Sequence, residues 1–269
     1  MLTASFRHIR GIGPLRERQL WLLGIRTWDE VPEGPVLSPR LDARLRAGIA
    51  ESRERLAAGD LDYFAGALPG KEHFRILPHA IESAGFVDVE FAEGLTVVGV
   101  LDREGPRSFL HGPDLHGFPS RAAAWKMIVT FNGSASDLPH LRALFPAWTP
   151  PLAHLDLCHA LRRAGQRGSL KEIEARLGLP RPLRLEKPSL LEAAALWRAQ
   201  REGNAAALRR LVEYNLTDAF HLRPLAEIAY NLLVRRLRMP APELPVTDRG
   251  ALLYDVSKEV ARACAARQG

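Results

Sequence analysis

Two carboxylates occur in a short hydrophobic stretch, FVDVEF, where acidic side chains are unusual. Asp88 and Glu90 stand two positions apart among Phe and Val residues that are typical of a buried strand. Because side chains alternate along a strand, both carboxylates lie on one face, with their α-carbons about 7 Å apart. Two anions held this close need a basic partner or a divalent cation. The alternative is an exposed edge strand with solvated acids.

Three further side chains could complete such a site. Asp137 follows a predicted strand end, where functional residues of α/β sheets collect. Tyr214 and Asp218 are four residues apart in a predicted helix and therefore share a face. Taken singly, each Asp is a helix cap or a surface residue by default. Together, the four acids could bind two Mg²⁺ or Mn²⁺ ions for phosphoryl transfer, because oxygen ligands without His or Cys favour these cations.

The pattern of hydrophobic residues predicts the elements that position these groups. GFVDVEF and LTVVGVLD flank the short turn AEG and predict a hairpin, and further strands are predicted at RSFLHG, KMIVTFNG and HLDL. Helices are predicted at PSRAAAWKM, SDLPHLRALF, SLKEIEARLG and SLLEAAALWRAQREG. The run 204–235 predicts a long helix with an apolar stripe of Leu208, Leu211, Val212, Leu216, Ala219 and Leu222. This order of elements predicts an α/β fold with a mixed sheet covered by helices.

The N-terminal segment predicts a small all-α unit. TASFRHIR and PLRERQLWLLG both predict short helices, joined by a turn at Gly11, Ile12 and Gly13. This arrangement resembles a helix-hairpin-helix motif, in which turn amides and a helix N-terminus hold a DNA phosphate without reading the sequence. The alternative is a packing hairpin in which the glycines only turn the chain. A charged amphipathic helix is predicted at 40–58, and a final helix is predicted at 250–266.

Composition narrows the class of protein. The chain has 269 residues and a formal net charge of +6, and 32 of its 37 basic residues are Arg, whose planar guanidinium suits phosphate contacts. Genome composition is the alternative cause of this bias. Cys158 and Cys264 form no disulfide framework, and the first residues lack the apolar core of a signal peptide. We expect a cytoplasmic protein with a polyanionic partner and no membrane association.

The motifs occur in an order known from one protein family. FVDVEFAEGL, VTFNGSASDLPHL, HLDL, SLKEIEARLGLPR and EYNLTDAFHLRPL resemble the ribonuclease H-like exonuclease domain of the YprB type. This family belongs to the DEDD superfamily of 3′→5′ exonucleases. The resemblance covers about residues 74–230 and implies a ribonuclease H-like mixed β-sheet flanked by helices, preceded by the small N-terminal all-α unit.

The resemblance implies roles for individual residues in the acidic motifs. It assigns Asp88 and Glu90 to the first motif, Asp137 to the second and Asp218 to the third, as ligands of two Mg²⁺ or Mn²⁺ ions. Tyr214 matches the tyrosine subclass, in which the phenol orients the attacking water. All five would be catalytic residues.

Other matching positions lie outside the acidic motifs. Asn132 and Gly133 match an Asn-Gly turn that shapes the rim of the active site and contacts nucleic acid. Lys171 matches a position that implies contact with the strand, with a surface lysine as the alternative. His154 and Asp156 also match, and a strand-end hydrogen bond is the alternative role for each.

One segment departs from the family pattern. The family commonly reads Asp-x-Glu-Thr-Thr-Gly-Leu, whereas this chain reads DVEFAEGL. Phe91 and Ala92 therefore replace the two threonines, and Glu93 is added or shifts the turn. Rate and substrate preference are the properties that this change would affect.

Taken together, these features predict a divalent-metal-dependent 3′→5′ exonuclease acting on single-stranded or frayed ends, with DNA favoured over RNA. The alternatives are a catalytically weak or inactive nucleic-acid-binding module with the same fold, and a metal-stabilised structural or partner-binding domain. The predicted parts are a helix-hairpin-helix-like unit at 1–32, a helical linker region at 33–76, the exonuclease domain at 77–235, and a linker with a C-terminal helix at 236–269.

Overall fold

The computed structural model of the chain describes residues 2–92, 94–179, 181, 195–196, 198–199, 204–247 and 250–265. Most of the predicted helix SLLEAAALWRAQREG and Glu93 of the hairpin turn lie outside the described residues.

Five strands form one mixed sheet in the order β3-β2-β1-β4-β5. Their bounds are Ala84–Ala92 (β1), Leu95–Asp102 (β2), Gly105–Leu110 (β3), Met127–Thr130 (β4) and Ala153–Asp156 (β5). β1, β2 and β3 pair antiparallel, whereas β4 and β5 extend the sheet from β1 in parallel. The predicted hairpin and the three predicted further strands are confirmed, and the sheet is mixed as expected.

Helices cover both faces of the sheet and build the N-terminal region. The α-helices are Pro14–Leu22 (α1), Pro39–Ala57 (α2), Leu61–Ala67 (α3), Leu77–Ala80 (α4), Phe118–Ala122 (α5), Asp137–Leu144 (α6), Leu157–Arg163 (α7), Leu170–Arg176 (α8), Ala205–Leu237 (α9) and Gly250–Ala265 (α10). Short 3-10 helices occur at Leu2–Ala4, Trp28–Glu30, Gly70–Arg75, Ile81–Ser83 and Pro113–Gly117. The long predicted helix is confirmed as α9, and its apolar stripe is buried. No helix within the described residues combines the length and apolar character needed to cross a bilayer.

Alternate side chains of the central strands enter two different hydrophobic cores. Phe86 and Val97 pack into the larger core, which α9 and the N-terminal region share. Val87 lies in the smaller core with side chains of α5 and α6. Asp88 and Glu90 follow Phe86 at spacings of two and four residues, so they point to the face that α9 covers.

The prediction of a helix over TASFRHIR was wrong. Only the 3-10 helix Leu2–Ala4 forms in this segment. Carbonyl groups that would accept helical hydrogen bonds are instead used by indole rings. Trp21 Nε1 donates to the carbonyl of Ala4 at 3.1 Å, and Trp28 Nε1 donates to that of Ser5 at 2.8 Å. The helix-hairpin-helix resemblance therefore lacks its first α-helix, although the glycine turn and α1 are present.

Buried ion pairs join the N-terminal region to the rest of the chain. Arg75 donates to both carboxylate oxygens of Glu17, which belongs to α1, at 2.9 Å each. Its Nε also donates to Glu72 at 2.7 Å. These side chains are almost fully buried, and removing one partner of a buried pair costs about 3–5 kcal/mol. The N-terminal region is thus packed firmly on the remainder, and the domain boundaries at 32 and 76 stay predictions.

Candidate active site

The acidic motif of β1 lies where the sheet opens. The parallel ladder between β1 and β4 spans Ala84–Phe86 on β1, so the acids lie beyond its end. On the other side of β1, Asp88 pairs with Gly99 of β2, and Glu90 pairs with Val97. Both acids are half-buried. This arrangement confirms that they share a face, and it leaves room for groups from outside the sheet.

A glycine in β2 allows α9 to approach the acidic strand closely. Asn215 of α9 donates from Nδ2 to the main-chain oxygen of Asp88 at 3.0 Å and to its Oδ2 at 2.9 Å. A Cβ atom at Gly99 would come within 2.5 Å of Asn215 Oδ1 and within 2.9 Å of its carbonyl oxygen. The absence of a side chain at Gly99 therefore sets the depth at which α9 docks, and with it the position of Asp218.

Three carboxylates meet at this contact between strand and helix. Asp88, Glu90 and Asp218 each offer an oxygen atom, and these atoms lie within 4.8 Å of one another. Every potential ligand atom of the group is a carboxylate oxygen, a set that suits Mg²⁺ or Mn²⁺ better than Zn²⁺. The structure thus brings together three of the four side chains predicted to bind metal.

The fourth predicted ligand lies beside this group. Asp137 is the first residue of α6, is buried, and accepts a hydrogen bond from Ser136 Oγ at 2.6 Å. Its carboxylate is not part of the group within 4.8 Å. Burial and the nearer acids are the main causes that raise the pKa of Asp88 and Glu90. The negative charge of Asp137 is a smaller cause that also raises both pKa values. Asp137 is therefore near enough to interact electrostatically with the other three.

Burial raises the pKa of all four carboxyl groups. The pKa of Asp88 lies well above its ordinary range, because burial and then the charges of Asp218 and Glu90 disfavour ionisation. Burial and Asp218 raise the pKa of Glu90 to about 7. Burial raises the pKa of Asp137 to about 6, against the effect of its hydrogen bond from Ser136. These raised pKa values favour the protonated carboxyl groups when no cation is bound, and a bound divalent ion would favour the ionised groups.

Two basic side chains already contact the site. Arg181 forms an ion pair with Asp218 and a bidentate pair with Glu174 of α8, at 2.5 and 2.7 Å. Lys171 donates to the hydroxyl of Tyr214, and its ammonium lies 4.1 Å from the centre of that ring. Tyr214 lies one turn of α9 before Asp218, and Lys171 of α8 is near enough for its charge to act against the raised pKa of both Glu90 and Asp218.

Sequence reasoning missed Arg181, Glu174 and Asn215. His221 of α9 supports the same network, since its Nδ1 lies 3.0 Å from Glu174 Oε1. All four residues fall inside motifs that the resemblance covers, SLKEIEARLGLPR and EYNLTDAFHLRPL. Their spacing alone gave no sign that they are paired, although their place inside matched motifs was a signal for closer attention.

The Asn-Gly turn after β4 is held in place by β5. The carboxylate of Asp156 accepts hydrogen bonds from the main-chain nitrogens of Asn132 at 2.8 Å and Ser134 at 3.1 Å. Asn132 adopts a left-handed conformation with φ of 61°, which Asn tolerates better than most residues. A Cβ atom at Gly133 would overlap with the side chain of Thr130. The turn that leads to Asp137 therefore requires Gly133 and favours Asn132.

The two matching positions of β5 make strand-end hydrogen bonds. His154 Nε2 lies 2.9 Å from Thr130 Oγ1, and burial lowers the pKa of His154 to about 4. Asp156 also accepts from the amide of Cys158 at 3.1 Å, at the start of α7. The structure shows the strand-end role for both residues.

The departure from the family pattern lies partly on the opposite face. Phe91 follows Glu90 and points away from the carboxylates, stacking on His140 of α6 with ring centres 4.1 Å apart. The side chains of Ala92 and Glu93 lie outside the described residues. The one replacement that is described therefore does not fill the space around the acids.

The glycine turn predicted to bind phosphate belongs to the N-terminal region. Gly11 has a φ of 96°, a conformation that favours glycine, and Gly13 immediately precedes α1. Ile12 is buried, as expected of a residue that fills the small core. The turn lines a depression of about 610 Å³. Three arginines line the same depression: Arg7, Arg10 and Arg16.

One comparison with known proteins gives a match. A family model described as RNase_H superfamily matches residues 81–230, more than half of the chain. The matched range contains all five strands, most of α9 and all four acids. Searches of curated proteins and of solved structures returned no significant match. With its mixed five-stranded sheet flanked by helices, the chain belongs to the ribonuclease H superfamily.

Proposed function

We propose that the chain is a divalent-metal-dependent 3′→5′ exonuclease that hydrolyses phosphodiester bonds at single-stranded or frayed DNA ends. The observation that carries this proposal is the approach of Asp88, Glu90 and Asp218 to within 4.8 Å of one another. They come from a strand and a helix that are far apart in the sequence, and such a group of like charges is costly without a cation. Membership of the ribonuclease H superfamily indicates a nuclease-type function.

The acids suit a hard divalent cation, Mg²⁺ or Mn²⁺. Asp88, Glu90 and Asp218 would hold the first ion, and the nearby carboxylate of Asp137 supplies the further ligand that a second ion needs. When bound, such ions supply an activated water molecule and stabilise the leaving oxygen. The protein's own contribution is to hold the four carboxylates on β1, α6 and α9 in fixed positions.

Tyr214 would orient the attacking water. Its hydroxyl oxygen accepts a hydrogen bond from Lys171, so the phenolic proton remains available for donation to a water molecule. Tyr214 and Asp218 lie on the same face of α9, one turn apart. Lys171 would have two roles, because its ammonium fixes the phenol and adds positive charge where a substrate phosphate would lie.

Two turns would hold the strand through its backbone. The turn at Asn132 and Gly133 leads directly to α6 and Asp137, so it borders the acids. The turn from Gly11 to Gly13 lines a depression with three arginines, and it offers main-chain amides and guanidinium groups to phosphates. Contacts of this kind carry no base information, so we expect binding to be independent of sequence.

The proposal is tested with labelled single-stranded and double-stranded DNA and RNA in Mg²⁺, Mn²⁺ or EDTA. We expect stepwise shortening from the 3′ end of single-stranded or frayed DNA in Mn²⁺ or Mg²⁺, and none in EDTA. Cleavage in EDTA, or no cleavage of any of these substrates by a folded preparation, would count against the assignment.

A nucleic-acid-binding module without catalysis is the second candidate, and Arg181 is the observation that favours it. Its guanidinium pairs with Asp218, so the acids already have a counter-ion. The same assays would then show salt-sensitive binding without products in any metal.

A further inference from the structure

A second concave site lies at the edge of the sheet where β5 ends. It has a volume of about 420 Å³, within the range of small-molecule sites. None of the four acids lines it. Its lining includes Lys71, Ser134, Leu155, His159, Ala160 and Arg163.

One wall of this cavity is continuous with the candidate active site. Ser134 and Asp156 belong to the hydrogen-bonded turn that leads to Asp137, and Ser136 of the same turn donates to the Asp137 carboxylate. Burial alone would raise the pKa of the Asp156 carboxyl, but the hydrogen bonds from Ser134 and Asn132 hold this pKa below its usual value. This carboxylate is therefore committed to the turn. A molecule in the cavity would contact Ser134, three residues before Asp137.

The mouth of the cavity carries positive charge. The exposed ammonium of Lys71 supplies this charge, and the imidazole of His159 is exposed beside it. Arg163 is held in a fixed position, because it donates to the carbonyl of Lys71 at 2.6 Å and to Glu72 at 2.9 Å. Leu155 contributes an apolar surface to the wall. The cavity thus offers cations beside an apolar wall.

These two surfaces match the two ends of a nucleotide, whose phosphate is an anion and whose base has an apolar face. We propose that this cavity binds one nucleotide unit of the strand that is cut at the acids. This inference rests on the proposed exonuclease function. The base lies against Leu155 and Ala160, and the phosphate lies near Lys71 and Arg163. The strand then passes over the Asn-Gly turn to reach Asp88 and its neighbours.

The test measures binding of a fluorescent single-stranded oligonucleotide by anisotropy in EDTA, so that cleavage is not needed. Lys71→Glu and His159→Glu change exposed residues at the mouth of the cavity. Lys126→Glu is the matched control, because Lys126 is exposed just before β4, at the end of the parallel strands opposite to the end at which β5 meets the cavity. We expect Lys71→Glu to weaken binding at least about tenfold and to reduce the salt dependence by about one phosphate contact. Lys126→Glu should leave affinity within about twofold of the wild type.

A competition arm identifies the ligand. Excess deoxyadenosine monophosphate should displace the labelled strand from the wild type, and inorganic phosphate at equal concentration should not. Equal displacement by phosphate would overturn the nucleotide assignment, because the apolar wall would then contribute nothing. Wild-type affinity in both Lys71→Glu and His159→Glu would overturn the site itself.

The two proposals fail in different ways. Cleavage in Mn²⁺ tests the nuclease, whereas anisotropy in EDTA tests the cavity. A chain that cleaves normally but binds equally well with Lys71→Glu would retain the nuclease and lose the cavity. A chain that binds through Lys71 without any cleavage would retain nucleotide binding at the cavity, but the strand in it would not be a substrate.

Discussion

Asp88 and Asp218 are the residues at which the proposed chemistry is tested most directly. Asn keeps the size of each side chain but removes the charge of a metal ligand, so Asp88→Asn and Asp218→Asn should each lower the cleavage rate at least about a hundredfold. Tyr214→Phe should have a smaller effect, since it removes only the group that orients water. The measurement is single-turnover cleavage of a 3′-tailed DNA in Mn²⁺. A wild-type rate in either Asn variant would refute the assignment.

Arg181 should control how strongly the acids bind a cation. Its guanidinium and a metal ion both compensate the charge of Asp218, so they compete for it. Arg181→Met should raise the affinity for Mn²⁺ at least about tenfold, and it should lower the melting temperature of the metal-free protein. Calorimetric titration with Mn²⁺ measures the affinity. Arg176→Met is the control, because Arg176 is an exposed arginine of α8, and equal affinities in the two variants would contradict the competition.

At the residue scale, local geometry decided what could be predicted. The shared face of Asp88 and Glu90 follows from strand alternation, which depends only on neighbours in the sequence. The position of Arg181 depends on Glu174 and His221, which pair with one another only in the folded chain. Nothing in the spacing distinguishes this arginine from the other 31, so the counter-ion of Asp218 could not be predicted.

At the scale of elements, the docking of α9 on β2 should depend on Gly99. An added methyl group would meet the side chain and carbonyl of Asn215, so Gly99→Ala should lower the free energy of unfolding by about 1–3 kcal/mol. It should also reduce the stabilisation by Mn²⁺, because α9 carries Asp218. Gly34→Ala is the control, since no atom lies within 4 Å of the added Cβ atom. The measurement is urea denaturation with and without Mn²⁺. Equal free energies of unfolding in the two variants would contradict the role assigned to Gly99.

The N-terminal turn should contribute to DNA binding through charge. Arg10 lines the depression beside Gly11, whereas Arg18 is an exposed arginine of α1 outside it. Arg10→Glu should therefore weaken binding of long DNA equally for all sequences and reduce the salt slope by about one, with a smaller effect for Arg18→Glu. Affinity measured over a range of salt concentrations checks this. If the two variants weaken binding equally, the turn has only a structural role.

The elements differ in how far the sequence could specify them. The apolar stripe of α9 extends over several turns, so its period identifies a helix on its own. TASFRHIR has no comparable stripe, and its carbonyl groups bond to Trp21 and Trp28 from later in the chain. Tertiary contacts therefore replaced the helix that local preference favours. The sheet was predictable because its strands are short, apolar and separated by clear turns.

For the whole molecule, stabilisation by Mn²⁺ should increase with pH. The folded-state pKa values of Glu90, about 7, and Asp137, about 6, exceed the values of about 4 in an unfolded chain. Protonation of these groups therefore stabilises the metal-free fold fully below pH about 4, and this stability is lost as the pH rises through about 6 to 7. Mn²⁺ competes with these protons, so the gain in melting temperature should be larger at pH 8 than at pH 5.

The difference between melting curves in Mn²⁺ and in EDTA is the quantity to compare at each pH. Burial lowers the pKa of His8 and His154 to about 4, so these residues make stability rise with pH between about 4 and 6.5, in the opposite direction to the acids. Their contribution is the same with and without Mn²⁺, and the difference removes it. A gain that does not change with pH would mean that Mn²⁺ binds elsewhere.

The buried ion pairs of Arg75 have a consequence for the size of the substrate. Glu17 of α1 holds this guanidinium, and Glu72 beside it also pairs with Arg163 of α7, so a chain of ion pairs links α1 to α7. We expect this link to limit changes in the span between the turn at Gly11 and the acids, so that under the proposed function a DNA strand that reaches both needs a minimum number of nucleotides. Under the same proposal, shorter strands are held at one end only, and we expect length rather than sequence to determine whether the N-terminal region takes part in binding.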